Sequence, residues 1–290
     1  MKVKKAVIPA AGWGTRMLPA TKSVPKEMLP VADKPIIQYN IEEIAAAGIE
    51  DILIVTNRGK SAMEEYFDRC PELEDILARQ GKTRELSLAC DVSRLASVHF
   101  IRQQEMRGLG HAIWCARRFV GDEPFAVLLG DDLMRSQTPV TEQLVHAAEE
   151  YDASVLGVQQ VSREDIARYS SLRVSPVSER LYDVTALIEK PPPAEAYSLF
   201  AILGRYVLKP GIFSVLADLP AGHGGEVQLT DAIDILCRRE RVLALDFEGR
   251  RYDTGILPGY LEAQIDFALA HPGTGDWMRA FIQRKAEELL

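Results

Sequence analysis

Residues 3–30 read VKKAVIPAAGWGTRMLPATKSVPKEMLP: a short β-branched run that breaks into a loop carrying two glycines, the cations Arg16, Lys22 and Lys26, and three further prolines. Val3–Pro9 is expected as a strand, and the loop after it as a place where backbone approaches a ligand. Gly12 and Gly14 lack a Cβ, so their N–H groups can point outward unobstructed. Thr15, Arg16 and Lys26 add donors and positive charge, and together the set suits a triphosphate. A bare G-x-G also fits an ordinary βα turn with a capped helix. The dinucleotide fingerprint G-x-G-x-x-G fails, because Met17 stands at the third glycine and Pro19 and Pro25 interrupt the helix it requires.

Working outward, apolar β-branched runs alternate with helical patterns. Ile36–Ala47 is expected as a helix ended by Gly48, Asp51–Thr56 as a strand, Ser61–Phe67 as a helix, Val98–Arg102 as a strand, His111–Phe119 as a helix and Phe125–Leu129 as a strand. This alternation predicts βαβ units on a mainly parallel sheet, with ligands bound outside the carboxyl ends of the strands. Residues 71–96 are mixed in character and read as an insertion on that core. From Ala153 onward strand-like runs dominate (SVLGVQQV, YDVTALIE, AILGRYVL), followed by helical patterns over Thr230–Arg239, Tyr260–Ala270 and Trp277–Leu289. The last of these carries Trp277, Met278, Phe281 and Ile282, suited to packing on the core or on a second copy.

Composition narrows the function classes. At 290 residues with 47% hydrophobic content the chain is long enough for a sizeable core. A net charge of −8 disfavours nucleic acid or an anionic membrane as partner, so any phosphate must be held by local cations. The segment MKVKKAVIPAAGWG is broken by Pro9 and Gly12 and reads as neither signal peptide nor membrane span, which makes the cytoplasm the expected location. The four cysteines lie far apart with no C-x-x-C spacing and read as reduced structural thiols.

Polar residues at strand ends are the remaining candidates. Asp131 and Asp132 follow FAVLLG, and Asp253 follows a short strand-like run in RYDTG. Carboxylates so placed suit a hard cation, while a capped turn is the plainer reading of Asp131. Gln103 ends VHFIR, and its amide pairs a donor with an acceptor. From the residues alone a solvated strand end is the better reading. Glu189 and Lys190 precede a triple proline, which also fits an exposed turn. His111 reads as a helix-start residue.

The loop motif G-x-G-T-R, followed ten residues later by P-K-E-x-L-P, resembles the signature of the sugar-nucleotide pyrophosphorylase superfamily, in particular its bacterial uridylyltransferase branch. FIRQQEMRGLGHAI, LLGDDL, IEKP, GRYVLKPGIF, GGEVQLTDAI and RYDTGILPGYLEA extend the likeness over nearly the whole chain. Glu27 in P-K-E, where thymidylyltransferases carry P-K-Q, favours the uridine branch. The resemblance implies an α/β fold with a Rossmann-like, mixed, mainly parallel central sheet flanked by helices. The nucleotide part would occupy about 1–150, a smaller β-rich sugar-binding part about 151–258, and C-terminal helices about 259–290. It implies in-line attack of glucose 1-phosphate on the α-phosphorus of UTP, giving UDP-glucose and pyrophosphate. Arg16, Lys26 and Lys190 would be catalytic, and Ala11, Gly12, Gly14, Thr15, Glu27, Gln103 and Gly108 would bind the nucleotide. Glu189, Lys190, Glu226 and Ser170 would bind the sugar, and Asp131 and Asp253 would hold Mg²⁺, in a homodimer or homotetramer. One departure is Tyr169-Ser170-Ser171-Leu172, where the branch carries Tyr-Gly-x-Val or Ile; the missing glycine bears on hexose preference. A thymidylyltransferase is the nearest rival. A non-catalytic UDP-glucose-binding relative would be marked by loss of Arg16, Lys26, Asp131 or Asp253, all of which are present.

Overall fold

A computed structural model describes residues 1–289. Apart from a two-residue pair at Pro30–Val31 and Lys34–Pro35, its strands are β1 (Lys5–Pro9), β2 (Asp51–Thr56), β3 (Ser97–Arg102), β4 (Phe125–Leu128), β5 (Asp132–Arg135), β6 (Ser154–Gln160), β7 (Ser170–Pro176), β8 (Leu181–Glu189), β9 (Phe200–Leu208), β10 (Val242–Asp246) and β11 (Arg250–Asp253). Nine of them form one sheet in the order β3-β2-β1-β4-β9-β6-β10-β8-β7. The β3-β2-β1-β4 half is parallel, as the alternating pattern predicts. Strand β9 then joins β4 antiparallel, and in the second half only β10 runs parallel to its neighbour β6. The β-rich part expected for the sugar is thus a continuation of the same sheet. No helix among the described residues is long and apolar enough to cross a membrane.

Both faces of the sheet are covered, which explains why β1 is apolar without alternation to polar residues. Val7 points to one face, among Val55, Val127, Ile113 and Ile233. Ala6 and Ile8 point to the other, against Ile37, Ile41 and Ile44 of α1 (Ile36–Ala46) and Leu144 of a later helix. Each such side chain removed from water contributes about 1.5–3 kcal/mol. Helix α1 ends as expected: Gly48 adopts φ +77°, and Ile49 N–H donates to Ile44 O in a left-handed cap.

Helix α2 (Ser61–Phe67) follows β2. The 71–96 insertion is a helical hairpin, α3 (Pro71–Arg79) and α4 (Thr83–Val92), with no residue of either helix buried. The helix after the R-G-L-G-H motif is α5 (Leu109–Cys115), which stops at Cys115 before a further short turn over Arg117–Val120. Helix α6 (Val140–Tyr151) precedes β6, and α7 (Leu229–Leu236) covers the sugar-side strands. The chain ends in α8 (Leu257–Ala270) and α9 (Gly275–Leu289). On these two helices Leu257, Leu261, Ile265, Trp277 and Ile282 are exposed, while Trp277 stacks on Phe281.

Strands β5 and β11 form a separate antiparallel ladder whose register sets Asp253 opposite Asp132. This pairing, across more than a hundred residues, carries Asp253 to the carboxyl end of β4.

Candidate functional site

The glycine loop leaves β1 at the sheet's carboxyl edge and is fixed from beneath. Gly14 has φ +67°, and a Cβ there would lie 3.3 Å from Lys26 Cβ and from Thr21 Cγ2, so the turn needs glycine twice over. Thr21 Oγ1 donates to Gly14 O at 2.8 Å. Lys60, just before α2, donates to Ala10 O at 2.6 Å, and Asn57 Nδ2 donates to Ala11 O. With these carbonyls held inward, the upper side of the loop is left to N–H groups. A Cβ at Gly12 would meet no protein atom, so the space above it is open to a ligand.

Two cavities meet on this edge. One, of about 240 Å³, lies between Pro9, Ala11, Gly12, Lys26, Gln103 and Gly108. The other, of about 450 Å³, is lined by Arg16, Ser170, Glu189, Lys190, Tyr206 and Thr230 among others. Leu109, Leu129, Asp131 and Glu226 border both. Gly14 and Thr15 line neither.

Asp131 sits at the junction. Its Oδ2 lies 2.6 Å from Lys26 Nζ and 3.5 Å from Arg16 Nη2. Burial opposes ionisation of Asp131, but Lys26 and then Arg16 outweigh it and hold the carboxyl below its ordinary value. Burial likewise opposes the charge on Lys26, and Asp131 with Glu27 more than restores it. A Cβ built at Gly255 would lie 2.4 Å from Asp131 Oδ2 and 3.2 Å from Asp253 Oδ1, so both carboxylates converge on one point. Among the described residues no three acidic, His or Cys groups gather as a metal cluster. Two carboxylates with the remaining positions left to phosphate oxygens and water match how Mg²⁺ is bound beside nucleotides, and the donor set fits that ion.

Asp132 shares the ladder face of Asp253, but its carboxylate is taken up by Arg251. It is buried, with Oδ1 2.6 Å from Arg251, and a Cβ at Gly204 of β9 would lie 2.2 Å from its Oδ2. Gly204 has φ +75°, so the strand gives way at that residue to admit the aspartate. Burial, then the neighbouring carboxylates Asp131 and Asp253, raise Asp132 against the opposing pull of Arg251 and Arg205. Behind it a buried network holds the turn. Arg205 donates to Asp132 O at 3.1 Å and pairs with Glu43 at 2.7 Å, and Asn40 donates to Gly130 O at 3.2 Å.

Gln103 is 4% exposed, and its Nε2 lies 3.2 Å from Gly108 O and 2.9 Å from His111 Nδ1. Burial and the Arg107 charge push His111 below its ordinary value, and since Gln103 Nε2 donates, the ring proton sits on Nε2 and Nδ1 accepts. Both Gln103 N–H bonds are then spent on protein, and only the Oε1 acceptor remains for a ligand. This corrects the sequence reading of a paired donor and acceptor: the group left over suits an imide N–H such as N3 of uracil. His111 starts no chemistry but fixes the amide. Gly108 has φ +98°, and a Cβ there would lie 2.6 Å from Glu226 Cβ and 2.9 Å from Val227 O. Hydrogen bonds from Gly110 N–H to Val227 O and from Val227 N–H to Arg107 O bind the two segments, which holds Glu226 between the cavities.

Glu27 departs from its expected place against the nucleotide. Its side chain is fully buried under the loop, with Oε2 2.8 Å from Lys60 Nζ and Oε1 without a partner. Any effect on a ligand runs through the loop. On the sugar side, Glu189 ends β8 beside Ser170 of β7, and Lys190 turns out with φ +45° while its N–H bonds Tyr169 O. Lys190 Nζ lies 3.4 Å from Glu189 Oε1. Two arginines were not foreseen. Arg251 bridges Asp132 and, at 3.6 Å, Asp253, and donates to Tyr169 Oη at 2.8 Å; Arg168 lies 3.8 Å from Asp253. Arg251 was findable, since residues i and i+2 of a strand share a face and Asp253 was already a candidate.

The profile of the nucleotidyl transferase family matches residues 5–268. A UTP–glucose-1-phosphate uridylyltransferase of Bacillus subtilis (strain 168) is 52% identical over 282 residues, 97% of either chain. Among solved structures, a UDP-glucose pyrophosphorylase complexed with UDP-glucose superposes with TM-score 0.84 at 38% identity, over 93% of this chain and all of that one. A UTP-bound enzyme of the same kind from Acinetobacter baumannii gives 0.89 at 36%, over 97% and 99%.

Proposed function

The chain belongs to the nucleotidyl transferase family, and from that premise we propose how its two cavities divide one reaction, the formation of UDP-glucose and pyrophosphate from UTP and glucose 1-phosphate. The observation that carries the assignment is the convergence of Lys26, Arg16, Asp131 and Asp253 where the cavities join. Uracil enters the smaller cavity, giving its N3–H to Gln103 Oε1 and lying against Ala11, Gly12 and Gly108. The triphosphate follows the loop N–H groups, with Gly14 and Thr15 shaping the turn. Glucose 1-phosphate enters the larger cavity, its phosphate on Lys190 and its hydroxyls toward Glu189, Ser170 and Glu226.

A sugar-phosphate oxygen then attacks the α-phosphorus; a new O–P bond forms as the bond from Pα to the β-bridging oxygen breaks, and pyrophosphate departs. No base is needed, since the nucleophile is already ionised. Arg16 and Lys26 neutralise the departing oxygens, and Lys190 aligns the attacking one, so catalysis is positioning plus charge complementarity. Asp131 and Asp253 would hold a divalent ion, Mg²⁺, which when bound offsets phosphate charge. Lys26 lines the smaller cavity at 2.6 Å from Asp131 Oδ2, where its ammonium is in place to pair with phosphate.

The reading includes a nucleotide part over about 1–150, a sugar part over about 151–258, a cytoplasmic location, and self-association as a homodimer or homotetramer read by sedimentation velocity. The test of substrate identity is pyrophosphate release from each of the four common nucleoside triphosphates and from dTTP against a panel of sugar 1-phosphates. UTP with glucose 1-phosphate is expected to be preferred by at least about tenfold, roughly what one lost buried hydrogen bond is worth. A preference for dTTP would instead support the thymidylyltransferase reading.

A further inference from the structure

Ser170 stands where the resemblance expects glycine, and its hydroxyl is not idle. Ser170 and Thr230 are 6% and 7% exposed, and their hydroxyl oxygens lie 3.2 Å apart. Thr230 Oγ1 in turn lies 2.7 Å from Glu189 Oε2. A threonine hydroxyl has one proton, and the carboxylate takes it. The Ser170 contact therefore runs from Ser170 to Thr230, and Ser170 has no proton left to give. All three side chains line the larger cavity. The register of β7 on β8 sets Ser170 opposite Glu189, so the relay closes across two neighbouring strands.

We propose that Ser170 is a specificity-determining residue: through Thr230 it fixes Glu189, and with it makes this wall of the cavity an acceptor-only surface for sugar hydroxyls. The inference rests on the reading that glucose 1-phosphate occupies this cavity. The wall then offers Ser170 Oγ and, with Lys190 Nζ 3.4 Å beside it, Glu189 Oε1, and neither oxygen can donate. A hexose that presents two hydroxyl protons there is accepted, and one that presents a deoxy carbon or an acceptor leaves a buried oxygen unpaired. A glycine at 170 would remove one acceptor and leave Thr230 free to turn away from Glu189.

The experiment measures KM and kcat for glucose 1-phosphate and for UTP in Ser170→Ala, Ser170→Gly, Thr230→Val, Thr230→Ser, Glu189→Gln and the Ser170→Ala/Thr230→Val double variant. A monodeoxyglucose 1-phosphate series is run on the wild type and on Ser170→Ala. Thr230→Val is expected to raise KM for glucose 1-phosphate about tenfold and Ser170→Ala about threefold, with KM for UTP within about twofold of wild type. Thr230→Ser should recover most of the loss, and the double variant should be no worse than Thr230→Val, because the two hydroxyls act in series. One deoxy analogue that the wild type rejects should lose most of its penalty in Ser170→Ala. Wild-type KM and an unchanged deoxy series in Ser170→Ala and Ser170→Gly, or effects that multiply in the double variant, overturn the relay. If Glu189→Gln raises KM for glucose 1-phosphate while Ser170→Ala is silent, the relay alone fails. If Glu189→Gln is silent too, the placement of the sugar fails with it.

Discussion

Lys60 reaches Glu27 Oε2 at 2.8 Å from a position with almost no exposure on either side, and the same ammonium holds Ala10 O at 2.6 Å. One buried ion pair thus links the P-K-E segment to the first turn of the glycine loop. Burial raises Glu27 and lowers Lys60, moving both toward neutrality, against the opposing pull of their mutual contact, to which Lys26 adds at Glu27 and Asp131 adds at Lys60. Lys60→Met should leave Glu27 buried without a partner and cost about 3–5 kcal/mol in urea denaturation. Adding Glu27→Leu should return much of that stability, but not the turnover with UTP, because the carbonyl of Ala10 remains unheld. Restored turnover in the stable double variant would separate the ion pair from the placement of the loop.

Glu43 anchors the turn that carries Asp131. Burial opposes its ionisation, but Arg205 and Thr141 outweigh that and hold it below 4.5, its ordinary value. A carboxylate depressed in the folded state contributes stability that is present above its unfolded value and lost as pH falls through the lower folded value. Glu43→Gln should therefore lower Tm strongly at neutral pH, for a loss of about 3–5 kcal/mol. The gap from wild type should shrink as pH drops below about 4.5. A gap that is constant from pH 7 to pH 3 in thermal melts would remove the charge from the explanation.

Lys190 has positive φ and a solvent-facing stem, so its removal should spare the fold. Lys190→Ala should raise KM for glucose 1-phosphate about tenfold or more and lower kcat, with KM for UTP nearly unchanged. Lys190→Arg should rescue only in part, since a planar fork does not occupy the place of a compact ammonium. Steady-state kinetics in both substrates decides it; unchanged values would make Lys190 a solvated turn residue.

Arg16 is the more exposed of the two cations on Asp131. Arg16→Ala should depress turnover from UTP far more than it weakens UDP-glucose binding without pyrophosphate, because its assigned partner is the leaving group. Calorimetry of UDP-glucose binding beside initial rates gives the comparison, and equal losses would move Arg16 to the retained half of the nucleotide.

The parallel half of the fold was legible because its strands are buried on both faces and its helices end at strong signals. Ser61–Phe67 and Asp51–Thr56 fall where the apolar pattern puts them, and Gly48 stops α1 as expected. Helices α3 and α4 carry apolar residues at helical spacing but bury none of them, so the pattern in the 71–96 segment gives no sign of where it sits against the core. Asp253 was visible as a candidate, but its partner strand was not, because the β5–β11 ladder joins short segments far apart in sequence. Glu27 was misplaced for a different reason: a charged residue in a binding loop reads as facing the ligand until a buried cation, Lys60, is seen below it. The lost donor of Gln103 likewise depends on Gly108 O and His111, which only the folded turn brings within reach.

The convergence of Asp131 and Asp253 is the centre of the account, and pyrophosphate release with UTP, glucose 1-phosphate and Mg²⁺ tests it in the wild type, Asp131→Asn and Asp253→Asn, with circular dichroism to confirm that each variant is folded. The wild type should release pyrophosphate only when both substrates are present, and each variant should be slower by at least about a hundredfold at saturating Mg²⁺. Release without the sugar phosphate, or near-wild-type rates in both folded variants, would contradict it.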